Sequence, residues 1–130
     1  MKFSANLSML FTETELLDRF KAARRCGFDA VEIQFPYRES PETLRQTLAE
    51  NGMQLVLFNV DADDLLQGGE GLAAVPEKRH RFKDALAQTV DYIHALKPEA
   101  INVLPGRCLD GRRRDCLLYT SDAADEEDSV

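Results

Sequence analysis

Ser40-Pro41-Glu42-Thr43-Leu44-Arg45-Gln46-Thr47-Leu48-Ala49-Glu50-Asn51-Gly52-Met53-Gln54-Leu55-Val56-Leu57-Phe58-Asn59-Val60 is one complete helix–strand unit. Ser40 suits an N-cap, because its hydroxyl can accept from a free backbone N–H of the first turn. Pro41 suits that turn itself, where its missing N–H costs nothing. Leu44 and Leu48 recur at helical spacing and give the helix a buried face, and Asn51-Gly52 ends it. Gln54 to Val60 then runs almost continuously apolar, as expected of a strand covered on both faces. A helix feeding directly into such a strand points to a parallel sheet.

The same alternation extends in both directions. Upstream, Phe3 to Ser8 reads as a strand with Phe3, Ala5 and Leu7 on one face and Ser4, Asn6 and Ser8 on the other. A helix is predicted from about Thr14 to Cys26, with Leu16, Leu17, Phe20 and Ala23 as its apolar stripe and Gly27 as its stop. Ala30 to Phe35 is the second strand. Downstream, a long connection from Asp61 to Val75 carries Gly68, Gly69 and Gly71. The next helix, about Pro76 to Leu96, should bury Phe82, Leu86, Val90, Ile93 and Leu96 before Pro98 stops it. Ala100 to Leu104 is the fourth strand.

Strands and helices in this order make right-handed βαβ units. Two architectures use them, a doubly wound sheet and a (β/α)8 barrel. No Gly-x-Gly-x-x-Gly follows the first strand, so the dinucleotide-binding form of the former has no support. A complete barrel needs about 250 residues. The expectation is therefore an α/β chain forming an incomplete (β/α)8 TIM barrel of about four βα units over residues 1–111. No internal repeat would let four units close alone, and the open first and fourth strands should drive self-association.

Composition bounds the partners. Of the 130 residues, 23 are acidic and 16 basic, but five of the acids fall in the last fifteen positions, which hold no Lys or Arg. The stretch Cys116-Leu117-Leu118-Tyr119-Thr120-Ser121-Asp122-Ala123-Ala124-Asp125-Glu126 resembles the translation of a transposase-adapter sequence used in preparing DNA libraries. Residues 112–130 are accordingly expected to be a non-native, disordered tail. Before it the charge is nearly balanced, which argues against a nucleic-acid partner, and Arg112-Arg113-Arg114 reads as a solvated loop. No apolar run reaches the roughly 18 residues of a membrane span, and no signal-peptide core follows Met1. Cys26, Cys108 and Cys116 are odd in number and widely spaced, against a disulfide framework or a zinc site. A cytoplasmic location follows, with no membrane partner.

In a barrel, binding groups sit at the C-terminal strand ends. Asn6 in the first strand, Glu32 and Gln34 in the second, Asn59 ending the third and Asn102 in the fourth are the polar groups there. Asn6, Glu32 and Asn59 are the substrate-binding candidates, with Asn102 ranked below them. Mutual hydrogen bonding or buried water is the plainer use of such groups, and Glu32 reads first as half of a salt bridge. Phe35 and Tyr37, around Pro36, are candidates for walling a pocket mouth, against a rigid loop packed on its own barrel. Gly68, Gly69 and Gly71 lack the lysine of a phosphate loop and read as a flexible connection. Asp61, Asp63 and Asp64 read as a solvated acidic turn, and His80 and His94 as surface or packing residues. No metal ligands and no cofactor are assigned within the chain.

Several stretches together resemble the hydroxypyruvate isomerase family of xylose-isomerase-like barrels. They are Phe3 to Phe11, Ala23-x-x-x-Gly27-Phe28-Asp29-Ala30-Val31-Glu32, Phe35-Pro36-Tyr37, Phe58-Asn59, Asp64, Gly71 to Pro76, and Phe82. The resemblance spans about residues 2 to 107. It implies interconversion of hydroxypyruvate and tartronate semialdehyde, with 2-oxo-tetronate isomerase or a sugar epimerase of the same superfamily as the alternative. Such a reaction removes a proton beside a carbonyl and returns it to the neighbouring carbon. It needs carboxylates as base and acid, plus positive charge or a divalent metal on the enediolate. The resemblance places the catalytic glutamates and any metal ligands on later strands, beyond residue 115. By itself the chain then reads as a catalytically empty piece of a small hydroxy/oxo-acid isomerase. In one respect it departs from the family pattern, because an arginine after the third strand is replaced by Glu70.

Overall fold

The computed structural model describes residues 1–107. The expected tail at 112–130 lies outside the described residues. The elements are β1 (Ala5–Asn6), α1 (Leu16–Arg25), β2 (Ala30–Glu32), α2 (Pro41–Asn51), β3 (Gln54–Asn59), two short 3₁₀ turns (Leu65–Gln67 and Pro76–Lys78), α3 (Arg79–Leu96) and β4 (Ala100–Asn102). All strand pairs are parallel, and the sheet order is β1-β2-β3-β4.

That order decides between the two architectures. A doubly wound sheet reverses direction at a switch point. Here every crossover advances one strand the same way, so right-handed connections place all the helices on one face. Accordingly α2 packs between α1 and α3. The chain is a partial TIM barrel, with a helix layer outside and one bare face inside.

Local chemistry sets the boundaries. The Ser40 Oγ accepts from the Thr43 N–H at 3.1 Å, and Gly52 closes α2 in the left-handed region at φ 59°. Gly27, at φ 93°, lets Phe28 N–H reach back to the Ala23 carbonyl at 3.1 Å and end α1. Between sheet and helices, Ala5, Leu7, Phe20, Ala23, Val31, Leu44, Leu48, Leu55, Phe58, Tyr92 and Leu96 form the main core.

The third helix differs from expectation. Ala85, Thr89, Tyr92 and Leu96 are its buried residues, with Phe82 and Ile93 partly buried, while Leu86 and Val90 are exposed at 38% and 47%. The buried face is rotated from the stripe of largest side chains, because packing on α2 and on the Tyr37 and Phe58 rings favours the small Ala85 and the hydrogen-bonding Thr89 and Tyr92. Phe3 is likewise exposed rather than buried, since β1 begins only at Ala5.

One irregularity in the sheet positions the site. Val31 pairs with Leu55 but Glu32 pairs with Leu57, so β3 carries one extra residue at Val56. A bulge of this kind resets the in–out alternation of the strand that holds it. Leu55 before it and Phe58 after it both reach the helix layer, and Leu57 and Asn59 turn to the bare face.

Candidate functional site

All four strands end on a polar residue: Asn6, Glu32, Asn59 and Asn102. Asn6 is in register with Glu32, and Asn59 with Asn102. The row therefore crosses the sheet at its C-terminal edge and lines a cavity of about 310 Å³. Ile33, Gln34, Phe35, Leu57, Leu66 and Leu104 complete the lining.

Hydrogen bonds engage all three amides, each through one of its two polar atoms. Asn102 Nδ2 donates to Asn59 Oδ1 at 3.1 Å, and Asn59 is 8% exposed. The Ser8 N–H donates to Asn6 Oδ1 at 3.0 Å, and the Ser8 hydroxyl accepts from the Gln34 N–H at 2.9 Å. Glu32 makes no ion pair with any described residue, so the salt bridge that its inward position suggested is not formed. Among the described residues it is the only ionisable side chain in the lining.

Of the two aromatic candidates, Phe35 lines this cavity and Tyr37 does not. Beyond Pro36 the chain turns its aromatic ring into the helix layer. There it meets Tyr92 and Phe58 edge-on at 5.0 and 6.2 Å. The Tyr37 hydroxyl donates to the Asn59 carbonyl and lies 3.3 Å from Thr89 Oγ1. Burial pushes its pKa up to about 12, against the contact with the Thr89 hydroxyl and with a smaller contribution from Asp61. Tyr37 thus supports Asn59 from behind the sheet, and burial raises the Tyr92 phenol as well.

Leu66 was not legible as a site residue. It sits on the first 3₁₀ turn, 62% exposed, with its side chain over the cavity. The loop that carries it is held by charge rather than being a merely solvated acidic turn. Lys78 Nζ lies 3.9 Å from both Asp63 and Asp64 and 3.7 Å from Glu70. Arg81 grips Asp63 with two hydrogen bonds of 2.8 and 2.9 Å. The Gly71 N–H donates to Asp64 Oδ1 at 3.2 Å, and the Arg107 N–H donates to the Glu70 carbonyl at 3.0 Å, clasping this loop to the segment after β4. Glu70 therefore faces Lys78 and is absent from the cavity lining. The glycines shape the turn: Gly68 has φ 94°, and a Cβ on Gly69 would lie 2.0 Å from Asp64 Cγ. His80 and His94 are exposed on α3.

Among the described residues, no cluster of three or more His, Cys, Asp or Glu could hold a metal ion, and no helix is long and apolar enough to cross a membrane. Cys26 is a free, exposed thiol.

A one-sided parallel sheet in sequential order, with a polar row at its strand ends above a cavity, defines the class as a partial (β/α)8 barrel with a candidate site at the C-terminal ends of its strands. The chain belongs to the xylose isomerase-like TIM barrel family, whose model matches residues 20–126. It is 42% identical over 107 residues to hydroxypyruvate isomerase from Escherichia coli K12, covering 82% of this chain and 42% of that protein. It is 39% identical over 119 residues to 2-oxo-tetronate isomerase from Pectobacterium atrosepticum, covering 92% of this chain and 45% of that protein. The crystal structure of an AP endonuclease, family 2, from Brucella melitensis superposes with a TM-score of 0.84 at 31% identity, over 92% of this chain and 46% of that one. The chain spans less than half the length of the curated relatives it matches.

Proposed function

We propose that this chain is the substrate-holding part of an isomerase of small hydroxy-oxo acids, with hydroxypyruvate and tartronate semialdehyde as the leading pair. The observation that carries the reading is sequence similarity at about 40% to hydroxypyruvate isomerase, spread over most of the chain. The polar row supports it. A three-carbon hydroxy-oxo acid presents hydroxyl and carbonyl oxygens, which match the free amide donors of Asn6 and Asn59 and the acceptors of Glu32 and Asn102. In this reading Phe35, Leu57, Leu66 and Leu104 exclude water around the carbon chain, while Asn6, Glu32 and Asn59 orient it.

Proton transfer through an enediolate needs a base and an acid on either side of the reacting carbons. The described lining offers one carboxylate, so the second group, and any divalent metal on the enediolate oxygens, would come from later strands. Residues 1–107 alone are then a binding half without turnover. The four-carbon 2-oxo-tetronate is the second reading, favoured by the relative from Pectobacterium.

The test grafts residues 1–107 in place of the equivalent segment of the E. coli hydroxypyruvate isomerase. The chimera is expected to convert hydroxypyruvate with measurable kcat/KM, exceeding that on 2-oxo-tetronate, while the 130-residue chain alone shows none. A folded chimera without turnover on either acid would contradict the proposal.

A further inference from the structure

The cavity has a directional electrostatic character that the isomerase reading does not by itself require. Glu32 lies on the strand between Asn6 and Asn59, the two residues whose amide N–H groups are free to donate to a ligand. Among the described residues its carboxylate has no cationic partner, and none of them that lines the cavity is Lys or Arg. Three of the described cations are held by other groups. Lys78 is shared among Asp63, Asp64 and Glu70, and Arg81 is held by Asp63. Arg19 donates to the Leu7 carbonyl at 2.8 Å and the Thr14 carbonyl at 2.9 Å.

A ligand carboxylate can only accept hydrogen bonds, and it carries the same charge as Glu32. Placed to reach both amides, it would stand beside that carboxylate in a half-enclosed cavity, where like charges repel more strongly than in water. A hydroxymethyl ketone end is the opposite case. Its hydroxyl donates to Glu32, and its oxygens accept from Asn6 and Asn59.

We infer that Glu32 is a specificity-determining residue that accepts a hydrogen bond from the hydroxyl of the substrate's hydroxymethyl end, so that the acid group points away from this wall of the barrel. The inference rests on the proposed function and deepens it by fixing which end of the substrate this chain holds. Glu32 is a hydroxyl receptor in this scheme, not the base that removes the proton on carbon.

Hydroxypyruvate and pyruvate differ only in the hydroxyl that Glu32 is inferred to receive, so the test compares them. Isothermal titration calorimetry of the full 130-residue chain should show hydroxypyruvate binding at least about tenfold tighter than pyruvate, the range of a hydrogen bond to a charged group. In Glu32→Gln, whose side chain keeps the shape but loses the charge, that preference should fall to about threefold or less, chiefly through weaker hydroxypyruvate binding. In the chimera the same substitution should raise KM for hydroxypyruvate more than it lowers kcat. If Glu32→Gln tightens both ligands and leaves the preference intact, the acid end sits at Glu32 and the inference is wrong, while the isomerase reading stands. If wild-type chain binds neither acid and the chimera has no turnover, the isomerase reading fails and takes the inference with it.

Discussion

Tyr37 shows how a residue can matter to a site without lining it. Its hydroxyl supports the Asn59 carbonyl and meets Thr89 on the far side of the sheet from the cavity. Tyr37→Phe keeps the edge-on ring contacts but removes that hydrogen-bonding group. A stability loss of about 1 kcal/mol is expected in urea unfolding. The pH dependence has a definite sign. Because the folded pKa, about 12, exceeds the ordinary value of 10.0, the neutral phenol is favoured by folding. This contribution is complete below pH 10 and is lost as pH rises from there toward 12. Wild-type stability should fall across that window, and Tyr37→Phe should fall less, with the raised Tyr92 phenol supplying what remains. Equal alkaline slopes in the two proteins would remove Tyr37 from this role.

At the level of elements, the capping and loop residues make separable contributions. Ser40→Ala should cost about 1 kcal/mol by removing the acceptor for the Thr43 N–H, seen as a lower urea midpoint with an unchanged slope. Gly69→Ala acts differently, since the new Cβ would displace the Asp64 carboxylate from Gly71. It should loosen the turn that holds Leu66 over the cavity and weaken hydroxypyruvate binding several-fold, with little effect on the core helices by circular dichroism. α2 and β3 could be read from sequence because Ser40, Pro41, Gly52 and the apolar run after them each impose a local conformation. The buried face of α3 could not, because Leu86 and Val90 are larger and more apolar than Ala85 and Thr89. Only the neighbouring elements decide which of them fit. Asn6 and Glu32 stood out as polar residues alternating with apolar ones inside predicted strands, and Asn59 as the polar end of a nearly continuous apolar run. Leu66 and the Lys78 cluster left no comparable mark, since a loop has no periodicity and its ion pairs join positions up to 18 apart. The bulge at Val56 is invisible for a related reason: it depends on register against β2, which the sequence of β3 alone does not contain.

Across the molecule, the four strands of the described residues run in sequential order and leave β1 and β4 with one partner each among them. Hydrogen exchange should therefore protect Leu55 to Phe58 most strongly, with Ala5 and Ile101 exchanging faster at the edges. We propose that these edges also drive self-association of the isolated chain, as exposed parallel edges do. Sedimentation over a concentration series should then show mass rising with concentration, together with slowing exchange at β1 and β4. A monomer at all concentrations would contradict that proposal. The polar row at the strand ends is the proposed binding place of a hydroxy-oxo acid. The most direct measurement is the side-chain amide spectrum of the ¹⁵N-labelled chain during titration with hydroxypyruvate. The signals of Asn6, Asn59 and Asn102 should move together and saturate, while Asn51, held by the Thr47 carbonyl on α2, stays fixed. Saturable binding that leaves the three row amides unmoved would place the ligand elsewhere and contradict the account.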